Sequence, residues 1–136
     1  MVSFMAFNKK ELIKYRIKRC DETIEDARIS IENNRLHNAE NRIYYAIFYV
    51  VSALAIKNNF STSKHWNLLS WFNQNFIKTG SLPKEFSRIY KNSFEKRQEG
   101  DYDDFIDFKL EEVKDDFENM ILFCNEIKKL LETTIE

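Results

Sequence analysis

Arg97-Gln98-Glu99-Gly100-Asp101-Tyr102 holds the residues most able to do chemistry in this chain. Phe86, Tyr90 and Phe94 recur every four residues, and Arg97 follows Phe94 by three, so the arginine falls on the apolar face of a helix. A guanidinium does not shed its proton; once covered, it must be paired or face a polar cavity. Two roles are open to it. It can be a structural strut, paired with Asp101 across the helix end or with an acid of another helix. It can also grip a phosphate in a cleft between helices or subunits.

Other side chains could join it. Lys64-His65 opens the preceding helix, where backbone N–H groups point outward and can receive an anion. His65 titrates near neutral pH when unperturbed and could bring proton transfer to Arg97 if the fold places them together. Arg42, beside Tyr44 and Tyr45, could pair with Asp101 or Asp103. Tyr102 could stack or hydrogen-bond at the same place, or simply pack under the following linker. His37 precedes a helix and has no chemical company. Asp101, Asp103, Asp104 and Asp107 lie on one loop without the glycine and terminal glutamate of a calcium loop. With no CxxC pair and no His/Cys cluster of zinc spacing, neither a metal nor a cofactor is expected.

The elements that must position these groups read as helices. The chain has 136 residues with only 2 Gly and 1 Pro, too few breakers for a hairpin-rich β protein. Helix one is expected from Asn8 to Asn33, with Ile13, Ile17, Cys20, Ile24, Ala27 and Ile31 as one stripe. Helix two is expected from Leu36 to Asn58. Its middle, Ile43 to Val51, is apolar nearly all round, so it is the central helix or faces both a core and a second subunit. Helix three is expected from Lys64 to Thr79, with Gly80 just past its end. Trp66 and Trp71 lie on different faces of it, one for the core and one for an interface. Pro83 fits the first position of helix four, and Gly100 should close it. An acidic linker follows, Asp107 caps helix five, and Val113, Phe117, Met120, Cys124, Ile127 and Leu131 form its stripe. Cys20 and Cys124 sit mid-stripe, which makes helices one and five neighbours and both cysteines reduced core thiols. The fold class is all-α: a single domain over 1–136, an up-and-down bundle of four long helices plus one shorter one.

Composition bounds the partners. An apolar fraction of 43%, with 12 Phe, 6 Tyr and 2 Trp, supports a core and an apolar interface besides. The net charge of −1 gives no global pull towards nucleic acid. The charge is uneven, however: residues 1–66 carry 11 Lys and Arg against 7 Asp and Glu, and residues 67–136 carry 10 against 15. The basic face of helix one (Lys9, Lys10, Lys14, Arg16, Lys18, Arg19) is read as solvated. No charged-then-apolar leader opens the chain, and the most apolar run, Ile43 to Ile56, is too short to span a bilayer. A cytoplasmic protein with no membrane role is expected.

Three stretches, in this order and spacing, resemble the HEPN domain, and within it the small stand-alone UPF0332 branch. They are Asn41-Arg42-Ile43-Tyr44-Tyr45-Ala46-Ile47-Phe48-Tyr49, Ser63-Lys64-His65, and Lys96-Arg97-Gln98-Glu99-Gly100-Asp101-Tyr102-Asp103-Asp104. Lys78-Thr79-Gly80-Ser81-Leu82-Pro83-Lys84-Glu85 fits the same branch. The resemblance implies a helical bundle, often a homodimer, with RNA- or nucleotide-related work. Many HEPN proteins are metal-independent ribonucleases that act as toxins in toxin–antitoxin or defence pairs. Others work beside a minimal nucleotidyltransferase, which in some pairs adenylylates a tyrosine near the motif; here Tyr102 would be that tyrosine.

The family's ribonuclease signature is an arginine and a following histidine with four to six residues between them. Arg97 matches the arginine, but Tyr102, Asp103 and Asp104 stand where the histidine is sought. Cleavage through the 2′-hydroxyl needs a proton acceptor and donor near neutral pH, which imidazole supplies and tyrosine, with a pKa of about 10, does not. The resemblance thus implies a HEPN partner of a nucleotidyltransferase with a nucleotide- or RNA-facing site of Arg97, Asp101, Tyr102, Arg42, Lys64 and His65. The alternatives are an endoribonuclease with altered acid–base residues, drawn from Arg97, Tyr102 and His65, and a module that binds only protein.

Overall fold

A computed structural model describes residues 2–103 and 105–134. It contains α1 (Val2–Glu32), α2 (Leu36–Lys57), α3 (His65–Phe72) with a π-helical extension (Asn73–Ile77), α4 (Lys84–Tyr102) and α5 (Leu110–Thr134). No strand occurs among the described residues. α1 begins ahead of the expected Asn8 because no Gly or Pro interrupts Val2 to Asn8. Asn34 turns the chain at φ 56°, and Arg35 N–H donates to the Ser30 carbonyl at 2.8 Å to close the α1 end.

α2 is the central helix and touches each of the other four. That position accounts for a helix with no polar face: Ile43, Tyr44, Ala46, Ile47, Val50 and Val51 are all covered. α1 and α5 are neighbours, as the matching stripes imply. Cys20 and Cys124 are buried free thiols; burial, and Cys20 beside it, push the Cys124 thiol up. Lys128 of α5 pairs with Asp21 of α1. All six stripe residues of α5 are buried.

Three boundaries depart from expectation. The helix read as running from Lys64 to Thr79 changes pitch after Phe72, and Lys78 N–H reaches the Asn73 carbonyl at 2.9 Å, a bond five residues back. The wider turn sets Phe76 against both Trp71 and Phe72, at 5.6 and 5.9 Å between ring centroids. Pro83 is the cap of α4 rather than its first residue. Gly100 does not end α4, which runs on through Asp101 and Tyr102. Its missing side chain serves an approach instead. A Cβ there would lie 3.1 Å from the Phe108 ring and 3.6 Å from His37 Nδ1. Gly80, by contrast, takes the left-handed φ of 79° expected after a helix. Asp107 does not cap α5, which begins at Leu110.

The aromatic centre of the bundle joins α3, α4 and α5: Phe123 meets Phe72, Phe86 and Tyr90 at 5.4, 5.7 and 5.9 Å. Truncating it removes contacts to two neighbouring elements at once. Phe123→Ala is expected to cost about 3–5 kcal/mol of stability, read as a shift of the urea midpoint with an unchanged slope.

Candidate functional site

Arg97 leaves α4 into the angle between α2 and α3 with its side chain 11% exposed. Its guanidinium carbon lies 4.9 Å from the centroid of Tyr44, 5.8 Å from Tyr45 and 5.9 Å from Phe94. One terminal nitrogen donates to Asp101 Oδ2 at 3.2 Å, whereas the covered Nε has no partner among the described residues. Asp101 is 36% exposed, so this pair is solvated and contributes only about 0.2–1 kcal/mol. The cation is held mainly by ring faces, each worth about 0.5–2 kcal/mol depending on desolvation. The pair with Asp101 across the helix end, considered from sequence, is present, and no acid of another helix among the described residues pairs with Arg97.

The first residue of α3, His65, comes to the same rings. It lies nearly parallel to Phe48 at 4.6 Å and to Tyr44 at 5.5 Å, and edge-on to Tyr45 at 5.7 Å. Its Nδ1 and the Tyr44 hydroxyl are 2.5 Å apart. Burial, and then the charge of Arg97, lower the His65 pKa below 6.5, so the imidazole is neutral at pH 7. Burial raises the Tyr44 phenol well above its ordinary value even though Arg97 pulls the other way. The hydrogen bond therefore joins two neutral groups, and its sense sets which imidazole nitrogen is left to donate or accept.

The remaining candidates divide. Tyr102 does not pack under the linker; at the end of α4 it is 81% exposed. Asp103 accepts from Phe105 N–H at 3.0 Å. Arg42 pairs with neither Asp101 nor Asp103. It donates to Asn41 Oδ1 at 3.1 and 2.7 Å and lies 5.2 Å from the Tyr45 ring, one turn along its own helix. Lys64 is the exposed cap residue of α3, with its backbone N–H donating to Thr62 Oγ1 at 3.1 Å. Asp104 lies outside the described residues. His37, expected to be without company, has its Nε2 2.8 Å from the Ile106 carbonyl and packs edge-on to Phe108 at 5.0 Å, fastening the α4–α5 connection to α2. Trp71 stacks on Phe60, while Trp66 is 60% exposed beside Phe94.

A second polar cluster was missed from sequence. Glu40 of α2 is 1% exposed, and neither carboxylate oxygen has a hydrogen-bond partner. Lys96 of α4 lies 3.8 Å from it and 2.6 Å from Asp116 of α5, which also receives Asn92 Nδ2 at 3.1 Å. Burial, and then the neighbouring Asp116, push the Glu40 carboxyl up to about 9 against the opposing pull of Lys96. Glu40 stands three residues before Ile43 on the inward stripe of α2, and that periodicity was the available signal.

A compact all-α bundle that houses an arginine and a histidine on shared aromatic rings defines a small helical protein with a polar site at a helix junction. The sequence matches the HEPN domain over residues 13–133, and the chain belongs to that family. A "UPF0332 protein" of Thermotoga maritima is 44% identical over 124 residues, covering 91% of this chain and 94% of its own. A protein of Methanocaldococcus jannaschii named "Putative toxin" is 34% identical, covering 89% and 88%. A second so named from that organism is 31% identical, covering 68% and 69%.

Two outcomes follow. Asp101→Asn is expected to lower stability by no more than about 1 kcal/mol, because its carboxylate is already solvated. Denaturation of that variant checks this. Glu40 has a folded pKa of about 9 against 4.5 unfolded, so between these values the folded state keeps a proton that the unfolded chain has released. Stability therefore falls as pH rises through that window, by up to about 1.4 kcal/mol per pH unit. Glu40 faces Lys96 from α4 and Asp116 and Glu112 from α5. Glu40→Gln, which mimics the protonated acid, is expected to flatten its share of the slope in melting curves from pH 5 to 9.

Proposed function

We propose that this chain is a toxin-like HEPN protein that acts as a homodimer in a two-protein pair with a minimal nucleotidyltransferase, with a nucleotide- or RNA-facing site organised on Arg97. The observation that carries this reading is the meeting of Arg97 and His65 over Tyr44. Those three residues come from three separate segments, the same segments that carry the family resemblance. The cation is not neutralised by a buried acid, which favours a phosphate ligand. The exposed Tyr102 hydroxyl, at the end of the same helix, supports the further reading that the partner transfers a nucleotidyl group to it. The names of the two Methanocaldococcus relatives support the toxin-like reading.

A second reading is favoured by one observation. His65 stands beside Arg97 in space and supplies the imidazole that the linear signature lacks, so Arg97 would stabilise phosphorane charge while His65 moves a proton. Because its pKa is lowered, His65 stays available as a base to lower pH than an unperturbed histidine, and cleavage would fall only as pH drops below that depressed value.

Two-dimensional NMR with nucleotides and short RNAs, beside Arg97→Lys and Arg97→Ala, tests the first reading. Shifts at Arg97, Tyr102 and His65 that vanish in a folded variant are expected; no shift with any ligand would overturn it. Sedimentation at micromolar concentration is expected to give a dimer mass. For the second reading, His65→Gln is expected to lower RNA cleavage by about 10²–10⁴-fold with the fold retained. No cleavage of any RNA at high protein concentration would sink it.

A further inference from the structure

Beside the α2–α3 connection, α1 and α2 leave a groove of about 470 Å³, within the range of small-ligand sites. Leu12 and Phe48 form part of its apolar wall; Arg16, Ser52, Ser61 and Ser63 form its polar side, and no acidic residue lines it. It lies apart from Arg97, which is not in its wall. The ring of Phe48 stands between them, since that ring carries His65, and His65 in turn meets Tyr44 under Arg97.

Arg16 is the informative residue. It is half-buried, its Nε is shut off from solvent, and it makes no hydrogen bond, ion pair or ring contact with any described residue. The guanidinium has no ion pair or hydrogen bond with a described residue, and its terminal nitrogens are the ones that an anion in the groove could meet. The hydroxyls of Ser52, Ser61 and Ser63 are likewise without hydrogen bonds to described residues. α3 starts two residues past Ser63, and no side chain caps its first amides.

We propose that this groove is a second ligand site, which takes a nucleoside phosphate with its phosphate on Arg16 and the serine hydroxyls and its base against Phe48 and Leu12. Free nucleotides and the 5′-phosphorylated end of an RNA share this chemistry. The site goes beyond the Arg97 reading and stands without it.

The test is an NMR titration of the full chain with AMP, with ADP, with inorganic phosphate, and with a short single-stranded RNA carrying a 5′-phosphate. Wild type is compared with Arg16→Gln, Leu12→Glu and Arg97→Lys. Leu12 is 40% exposed at the rim, so Leu12→Glu places a repelling charge there without disturbing the core, and it serves if Arg16→Gln does not fold. Expected are shifts at Arg16, Ser52, Ser61 and Ser63 with AMP or ADP, weakened at least tenfold in Arg16→Gln and Leu12→Glu and kept in Arg97→Lys. Such shifts with the RNA alone would equally support the site and identify its ligand as a chain end. Inorganic phosphate binding as tightly as AMP would overturn the role given to Phe48 and Leu12. No shifts in the groove, or undiminished binding in both groove variants, would overturn the proposal. Shifts confined to Arg97, Tyr102 and His65 would overturn it while leaving the first reading intact.

Discussion

The structure depends on how the fold accommodates one charge that cannot be removed. Arg97 lies on the apolar side of α4, and its only ion pair among the described residues is with a carboxylate already in contact with water. Three ring faces do the rest, and the central one, Tyr44, belongs to the central helix. The consequences spread from there. Tyr44 must be covered to offer its face to the cation, and covering it keeps the phenol neutral. A neutral phenol is a fitting hydrogen-bond partner for a neutral imidazole, and the guanidinium field together with burial keeps the His65 imidazole neutral. Burial, and then the cation, thus bear on the charge state of the imidazole.

Consecutive residues of α4 serve two different junctions. Arg97 turns toward α2 and the start of α3, and Lys96, about 100° around the helix, turns toward Glu40 and Asp116. The two sites differ in kind. Lys96 sits between two acids, and burial alone would lower its pKa; the bond to Asp116 and the nearby carboxylates reverse this and raise it. Lys96 is matched there by Asp116, although neither Glu40 oxygen accepts a hydrogen bond from a described residue. Arg97 has rings and one solvated acid, and its Nε has no acceptor. Function is assigned to that junction because its uncompensated group is a cation, which an anionic ligand can meet, whereas the unsatisfied atoms beside Lys96 are carboxyl oxygens.

The periodic parts of the fold were legible because a stripe of apolar residues carries its own register. Both long stripes and the neighbouring of helices one and five at Cys20 and Cys124 follow from spacing alone, and the central place of helix two was one of the two readings that spacing left open. What escaped were features in which one residue answers to a distant one. Gly100 looks like a helix terminator in sequence, but its role is set by Phe108 and His37. The π-helical turn after Phe72 depends on where Trp71 and Phe76 meet. His37 is unremarkable until the Ile106 carbonyl arrives across the fold. Glu40 occupied a stripe position in plain view, but charged residues are usually solvated, and only burial tells this one apart. At the candidate site, the Arg97 face was readable, and the partnership of His65 with it was one possibility among several. The aromatic rings were read as core, and the structure makes them the means of holding the cation.

The stack Phe48–His65–Tyr44 deserves its place in any account of function because it has a polar demand on each side. Beyond Tyr44 lies Arg97, with Nε unpartnered; beyond Phe48 lies the groove with Arg16, whose Nε is also unpartnered. Unsatisfied buried donors are uncommon in folded proteins, and two guanidinium nitrogens in that state flank one histidine. Solvated surface arginines would need no explanation. Arg97, covered and without a buried acid, is offset by ring contacts, whereas Arg16 is half-buried and the ligand argued for the groove would be its partner. The difference between them is therefore informative: Arg97 has a home among the rings, and Arg16 lines the groove without a partner among the described residues.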